Sequence, residues 1–489
     1  MPLTINGAPE AGFNPVAARA RSVLHSRTMF VSYLGLLVGL ALLIWLALRG
    51  VNIIFASVLC SLVVIVTNGL PLAAGLGEYY SFGKLGAFTF AGRFFLLFAA
   101  GAVFGRIMGD SHAAASIALA LVRAWGAHRA LWITTLACAV LTYGGVVVFV
   151  VIFAMYPLGL RLLQEADIPK RLFTAALALG AGTFTLTALP GTPSIHNVIS
   201  SVALGTDLYA GGWLGLFGGL LMFAGGMWYL ERERGRAAAN GERFHPGPLD
   251  RIPERGSDTP DHPHWALALV PLLVVITTIV VPRLAKMSLG EGLEQGSGPV
   301  FDLLRFAVAQ PILWPSFALL LGSLFALILF PKTRRQVLGA FGHGTQDAVL
   351  PLFNTAAVIG FGGVVTHTAG FEHFTQAMLQ APLPPLLSMF ASISVVSGIT
   401  GSASGGLQIF MATMAKDYLA MGIEPAVLHR LVTMAAGGFD SLPHCGAVVA
   451  MLAITGLTHR EAYRDIFIIT VVIPVVATLL SIALSALIY

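Results

Sequence analysis

The sequence predicts an all-α polytopic membrane protein with about ten transmembrane helices and two re-entrant hairpins, arranged as an inverted repeat. The chain has 489 residues, of which 56% are hydrophobic and only 10% are charged, whereas about a quarter of the residues in a soluble domain are charged. Ten apolar runs approach or exceed the roughly 20 residues that a helix needs to cross a bilayer. Their order is the same on both sides of one hydrophilic segment, residues 231–264.

Residues 1–29 form a polar N-terminal arm, and the first repeat (30–230) is joined to the second (265–489) by the hydrophilic linker 231–264. The distribution of Arg and Lys places this linker in the cytoplasm. Each half contains three spans, a hairpin, an interrupted span and a plain span. An odd number of spans inverts the second half relative to the first, as in many secondary transporters. The predicted spans are 30–48, 51–68, 88–108, 172–200 and 211–230 in the first half, and 265–282, 311–330, 348–368, 427–457 and 466–488 in the second.

Two further apolar runs, 130–160 and 386–414, are too long for one straight crossing and have glycines at their centres. We interpret both as re-entrant hairpins, in which two half-helices meet near the middle of the membrane; long tilted helices are the alternative. Glycine lets the backbone approach a ligand closely, and hydroxyl groups can bind it, although small residues also allow close helix packing. The candidate substrate-binding residues at the two tips are Thr142, Tyr143, Gly144 and Gly145, and Thr400, Ser402, Ser404 and Gly405.

The spans 172–200 and 427–457 are over-long and contain helix-breaking segments, Ala188 to Asn197 and Gly437 to Gly446. Non-helical backbone at membrane depth is costly unless it is buried in protein or lines a wet cavity. Paired interruptions in corresponding halves point to the binding site of a secondary transporter. Thr192, Ser194 and Asn197 are therefore candidates to bind substrate, and the alternative is that they satisfy the freed backbone groups.

Asp440 is the acidic residue that we place at a helix interruption near the middle of the membrane. Burial favours the protonated form of a carboxyl group, which makes Asp440 the predicted proton carrier; capping of the next half-helix is the alternative. His444 and His196 lie at or after the two interruptions, and a histidine can relay protons near neutral pH. Both histidines could equally be hydrogen-bonded structural residues.

The sequence contains no P-loop, HExxH or G-x-S-x-G motif and no cluster of Cys and His, so we expect no P-loop pump, enzyme, metal site or cofactor. The net charge of +5 comes from loop arginines, a pattern that reflects topology and does not indicate a nucleic-acid partner. Transport driven by an ion gradient is the remaining interpretation, with a channel as the alternative of a different class.

Four segments of the sequence carry a family resemblance. They are Val146 to Phe153 followed by Tyr156-Pro157-Leu158-Gly159, then Leu189-Pro190-Gly191-Thr192-Pro193, Gly401 to Gly406, and Leu442-Pro443-His444. These segments resemble the gluconate/proton symporter (GntP) family of the ion-transporter superfamily. The resemblance implies an elevator-type carrier of the inner membrane that imports a small hydroxycarboxylate by proton symport. We also expect a homodimer.

The first hairpin tip departs from the gluconate-type pattern, which has an acidic residue where this chain has Tyr143-Gly144-Gly145. A smaller or less hydroxylated monocarboxylate is therefore expected instead of a sugar acid. Sodium-coupled symport and carboxylate exchange remain the alternatives to proton symport.

Overall fold

The computed structural model describes residues 31–46, 49, 51–143, 148–247, 263–310, 312–334 and 337–488, and their regular elements are all helical. The first half contains α1 (Val31–Leu46), α2 (Ile53–Thr67), α3 (Leu72–Ala74), a π-helix (Gly75–Phe82), α4 (Ala87–Asp110), α5 (Ala113–Trp125), a 3-10 turn (Ala127–Arg129), α6 (Ala130–Tyr143), α7 (Val148–Ala166), α8 (Lys170–Gly182), α9 (Phe184–Thr187), α10 (Ile195–Leu204) and α11 (Gly212–Ala239).

The second half contains a similar series of helices. They are α12 (Trp265–Leu289), α13 (Glu291–Gln295), α14 (Pro299–Ala309), α15 (Leu313–Leu329), α16 (Pro331–Arg334), α17 (Val337–Val365), α18 (Ala369–Leu379), α19 (Pro385–Thr400), α20 (Ala403–Thr413), α21 (Ala415–Ala420), α22 (Pro425–Phe439), α23 (Gly446–Thr455), α24 (His459–Phe467), a second π-helix (Ile468–Val472) and α25 (Ile473–Ile488).

Five helical segments in the described part of the chain are long and apolar enough to cross a membrane, and a sixth is added if α14 and α15, which meet at 113°, count as one span. The chain is thus a multi-pass, all-helical membrane protein. This number is lower than the ten spans predicted from the sequence, because several apolar runs form helices shorter than a bilayer. At the predicted span 51–68, for example, α2 has 15 residues, whereas a straight crossing needs about 20.

Two pairs of short helices occupy the segments for which re-entrant hairpins are predicted. In the second half, α19 has 16 residues and α20 has 11, and the two contact each other across Gly401 and Ser402. Gly401 has φ of 54°, a left-handed conformation that favours glycine. In the first half, α6 contacts α7, and the residues between them, 144–147, lie outside the described part of the chain.

Non-helical segments separate α9 from α10 and α22 from α23. α9 ends at Thr187 and α10 begins at Ile195, while α22 ends at Phe439 and α23 begins at Gly446. Ser194 stabilises the start of α10, because its hydroxyl oxygen accepts the backbone N–H of Asn197 at 3.3 Å. None of the four helices α9, α10, α22 and α23 is long enough to cross the bilayer alone.

Several contacts between helices recur in a similar pattern in the two halves. α6 packs on α8 as α19 packs on α22, and α4 contacts α7 and α15 as α17 contacts α20 and α2. The contacts also cross between the halves, since α23 lies against α7 and α8 while α10 lies against α20 and α22. The short helices of both halves, α6 to α10 and α19 to α23, therefore form one packed unit. This unit borders on the long helices α4 and α17.

Gly180 marks the close approach of α8 to α6. A Cβ atom at this position would lie 2.2 Å from the carbonyl oxygen of Thr135. We expect Gly180→Ala to lower the free energy of unfolding by about 1–3 kcal/mol, the usual cost of overpacking, and to lower the melting temperature of the detergent-solubilised protein. Gly182→Ala is the matched control, because nothing lies within 4 Å of its added Cβ. Equal melting temperatures for the two variants would contradict this packing.

Candidate functional site

A cavity of about 150 Å³ lies where the non-helical segments and the two short-helix pairs meet. An enclosed water needs roughly 10–15 Å³ by the same kind of measure, so the cavity admits a small organic molecule and not only an ion. The polar residues on its wall are Thr142, Ser194, His196, Asn354, Thr355, Ser402, Ser404, Asp440, Ser441, Cys445 and Thr470. Its larger apolar residues are Leu97, Phe98, Val148, Leu186, Ile195, Val358, Val448, Met451 and Ile466.

The helices α10, α20 and α23 begin at this cavity. The first residues of α10, α20 and α23, which are Ile195, Ala403 and Gly446, all lie on the wall. The first N–H groups of a helix have no partner within the helix, and they form the positive end of its dipole. No Lys or Arg occurs among the described residues that line the cavity. Backbone N–H groups are therefore the donors that the described wall offers to an anion in place of a Lys or Arg side chain.

Asp440 lies directly after the last residue of α22. Its Oδ1 accepts a hydrogen bond from Ser441 Oγ at 2.9 Å, and the backbone N–H of Ala403 faces the same carboxyl group. The side chain is half-buried, because it lines the cavity. Asp440 is the one acidic residue among the described residues of the wall, so an anion bound there would face a carboxyl group.

Three polar atoms on the wall are buried without a hydrogen-bond partner in the part of the chain that the structure describes. They are Thr142 Oγ1, His196 Nδ1 and Asn354 Oδ1. Thr142 is 1% exposed and His196 is 9% exposed. Since buried polar groups are nearly always hydrogen-bonded in folded proteins, these atoms are suited to bind a ligand or water inside the cavity.

Other predicted residues of the first half stabilise the interruption instead of lining the cavity. Tyr143 donates its hydroxyl to Pro190 O at 3.0 Å. Asn197 Nδ2 donates to Thr192 O at 2.8 Å and to Leu208 O at 3.0 Å. Thr192 is fully buried away from the wall. Gly144 and Gly145 lie outside the described residues.

In the second half, Ser402 and Ser404 lie on the wall, whereas three other predicted residues lie behind it. Thr400 Oγ1 donates to Val396 O at 3.0 Å. The N–H of Gly405 donates to Ser402 Oγ at 3.2 Å, which caps α20. His444 is 1% exposed and packs so closely on the turn between α19 and α20 that a Cβ at Gly401 would lie 2.5 Å from its Cδ2.

Several residues of the wall were not predicted from the sequence. Asn354 and Thr355 form a polar pair inside the apolar span 348–368, and this signal could have been used, because polar residues inside a membrane span are functional candidates. Leu97 and Phe98 of α4 give no such signal, since their residue types are equally common on surfaces that face lipid.

Comparison with known proteins identifies the family. The profile described as GntP family permease matches residues 31–488. The chain belongs to the GntP permease family. This permease is 38% identical over 457 residues to the uncharacterized transporter YxjC of Bacillus subtilis (strain 168), which covers 89% of this chain and 95% of YxjC. An uncharacterized transporter of Haemophilus influenzae is 24% identical over 422 residues, 85% of this chain and 88% of its own.

The crystal structure of the Alcanivorax borkumensis YdaH transporter is similar at a TM-score of 0.48 and 14% identity, over 80% of the permease and 85% of the YdaH chain. Membership in a permease family agrees with the prediction of a secondary transporter and not an enzyme. It also confirms the resemblance found in the sequence.

Proposed function

We propose that this permease imports a small organic monocarboxylate across the inner (plasma) membrane together with protons. The observation that carries the proposal is the meeting of three helix N-termini and Asp440 at one cavity whose described wall has no side-chain cation. Helix N-termini bind carboxylates through their free N–H groups. Thr142, Asn354 and Ser404 would bind a hydroxyl substituent. The apolar part of the wall would hold the hydrocarbon portion of the substrate, as in most small-molecule sites.

Asp440 explains why a cation must accompany the substrate. Two negative charges in one cavity of low dielectric constant repel each other strongly. A proton on Asp440 removes this repulsion, so substrate and proton bind together, and the loaded site carries less charge through the membrane. His196, on the same wall, and His444, behind it, are the candidates to pass protons to or from Asp440.

Sodium symport is the second candidate, because a carboxylate and the freed carbonyl groups of the interrupted helices are suitable ligands for a hard cation. Carboxylate exchange is the third. A gradient of either cation would satisfy the same charge requirement at Asp440.

We propose an elevator movement for the transport step. Contacts that repeat between the halves support an inverted repeat, and the packed unit of short helices contains the described residues of each polar segment that was predicted for the site. This unit would move against the remaining long helices and carry the cavity from one side of the membrane to the other. A homodimer would supply a stationary scaffold, and the mass of the detergent-solubilised complex tests the dimer.

The experiment is uptake by proteoliposomes that contain the purified permease. Carboxylates of three to six carbons, with and without hydroxyl groups, are first ranked by the rise in melting temperature that they cause. The best ligand is then tested under an imposed pH gradient or an imposed sodium gradient. We expect accumulation driven by the pH gradient for a short hydroxycarboxylate. Accumulation driven only by sodium would favour the second candidate, and the absence of counterflow would indicate a channel.

Cys445 provides a second test, because it lies on the cavity wall while Cys60 and Cys138 are buried elsewhere. In a Cys60→Ala, Cys138→Ala protein, we expect substrate at ten times its Kd to slow the alkylation of Cys445 by a membrane-permeant maleimide about tenfold, since only about a tenth of the sites remain free. An alkylation rate that does not respond to substrate would remove this cavity as the binding site.

A further inference from the structure

Arg430 is a fully buried cation in α22, with 0% of its surface exposed. None of the ion pairs found among the described residues includes it. Its donors instead bind four backbone carbonyl oxygens: Ala210 at 3.0 Å from Nε, Ala188 at 3.1 Å and Leu189 at 3.4 Å from Nη1, and Leu208 at 3.0 Å from Nη2. A buried charge is costly unless it is compensated, so these carbonyl groups form a built site for the guanidinium group.

All four acceptors belong to the first half of the chain, and they lie on both sides of its interruption. Ala188 is the C-cap of α9, so its carbonyl and that of Leu189 lie at the negative end of a helix, where a cation is favourable. Leu208 and Ala210 lie in the loop after α10. The planar guanidinium group has five N–H donors, so one side chain binds both segments, which are also joined by hydrogen bonds from the Gly191 N–H and from Asn197 Nδ2 to Leu208 O.

Gly211, which directly precedes α11, and Gly215 in its first turn make room for this side chain. A Cβ at Gly211 would lie 2.5 Å from Cβ of Arg430. A Cβ at Gly215 would lie 2.3 Å from the carbonyl oxygen of Ala188 and 2.9 Å from Cδ of Arg430. The close fit means that a small change in α11 would displace the guanidinium group from its acceptors.

His429, the residue before Arg430, makes a second connection to the same region. Its Nε2 lies 2.6 Å from Asn197 Oδ1, and its Nδ1 lies 2.6 Å from Thr206 Oγ1. Because Asn197 Nδ2 donates to Leu208 O, Asn197 Oδ1 accepts from the N–H at Nε2 of His429. Two consecutive side chains of α22 thus hold both ends of the first interruption.

The segment that Arg430 holds, which begins at Ala188, continues along the chain into the cavity wall. Pro190 O, next to the carbonyls bound by Arg430, accepts the hydroxyl of Tyr143 at the end of α6, and Ser194 and His196 lie on the wall. The opposite end of α22 presents Asp440, about 15 Å along the helix from Arg430 at 1.5 Å per residue.

We propose that Arg430 is a positioning residue for substrate binding, which fixes the first interruption to α22 so that the N-terminus of α10 and Asp440 stay at one cavity. The inference rests on the proposed function, since it requires a substrate in that cavity. Arg430 lies behind the wall and does not touch the substrate in this arrangement.

Arg430→Lys keeps the positive charge but replaces the planar guanidinium group with a single ammonium group. The variant therefore cannot hold both segments. We expect the KM for substrate uptake to rise about tenfold, in line with the loss of hydrogen bonds to a charged group, with Vmax within about twofold of wild type. Arg171→Lys is the matched control. Arg171 binds Asp465 and Glu242 at 2.6 and 2.9 Å, away from the cavity, and its variant should keep the wild-type KM.

Gly215→Ala tests the same idea without changing Arg430, and it decides the matter if Arg430→Lys does not fold. Its added methyl group should displace the guanidinium group and raise the KM in the same way. Gly235→Ala, on the same helix with nothing within 4 Å, should have no effect.

A lower melting temperature with an unchanged KM in both Arg430→Lys and Gly215→Ala would show a purely structural role and overturn the proposal. Failure of the proposed function itself would look different, because the wild-type protein would then not accumulate carboxylates at all.

Discussion

Asp440→Asn is expected to abolish accumulation of substrate driven by a pH gradient, while exchange of substrate across the membrane continues. Asparagine has nearly the same shape and can still accept hydrogen bonds from Ser441 Oγ and from the N–H of Ala403, which face the wild-type carboxyl group. It cannot bind and release a proton. Exchange needs no net release of a proton, so the loaded carrier should still shuttle.

The measurement compares proteoliposomes with and without an imposed pH gradient. For one proton per substrate, a gradient of one pH unit can drive about a tenfold concentration ratio, and the variant should reach a ratio near one. Asp417→Asn is the control, because Asp417 is an exposed carboxylate in α21. Wild-type accumulation by Asp440→Asn would exclude Asp440 as the proton carrier and make His444→Gln the next variant to test. A sodium requirement in the wild type would exclude the proton mechanism.

Gly446→Leu is expected to block transport by filling the cavity. Gly446 is the first residue of α23 and lies on the wall. The nearest atom to an added Cβ is Cβ of Asn354 at 3.9 Å, an ordinary contact, so the backbone can accept a larger residue. The remaining carbon atoms of leucine would occupy space that the substrate needs.

We expect uptake by Gly446→Leu to fall about a hundredfold or more, since the loss of roughly 3 kcal/mol of binding free energy corresponds to that factor. The melting temperature should remain near that of wild type, because the new apolar side chain fills a void. Gly235→Leu, which faces open space on α11, is the control for the change of residue type. Uptake by Gly446→Leu at the wild-type rate would place the substrate elsewhere.

The interruptions of the helices were predictable because their causes are local. Proline lacks a backbone N–H and weakens a helix, and the structure has non-helical backbone through Pro190 and Pro193 and through Pro443, although α12 continues through Pro271 and Pro282. The number of straight crossings was not predictable in the same way. Apolar composition shows that a segment can lie in a membrane, but it does not show where short helices end within one apolar run.

The wall of the cavity was only partly predictable, because side-chain direction depends on packing between distant segments. Thr142 and Thr400 were singled out for the same reason, yet Thr142 reaches the cavity while the hydroxyl of Thr400 binds its own helix. The role of Arg430 depends on carbonyl groups that are more than 200 residues away in the sequence, and no local pattern could reveal them.

The helix starts at the cavity have a consequence for how substrate preference can change during evolution. Peptide N–H groups are present whatever the side chain is, so point mutations of Ser404 or Asn354 would alter the fit of the uncharged portion of a ligand and leave the attraction for its negative group in place. Under the proposed function, relatives with different walls would transport different acids while sharing one preference for anions. Such a preference would persist until the backbone itself changed its course.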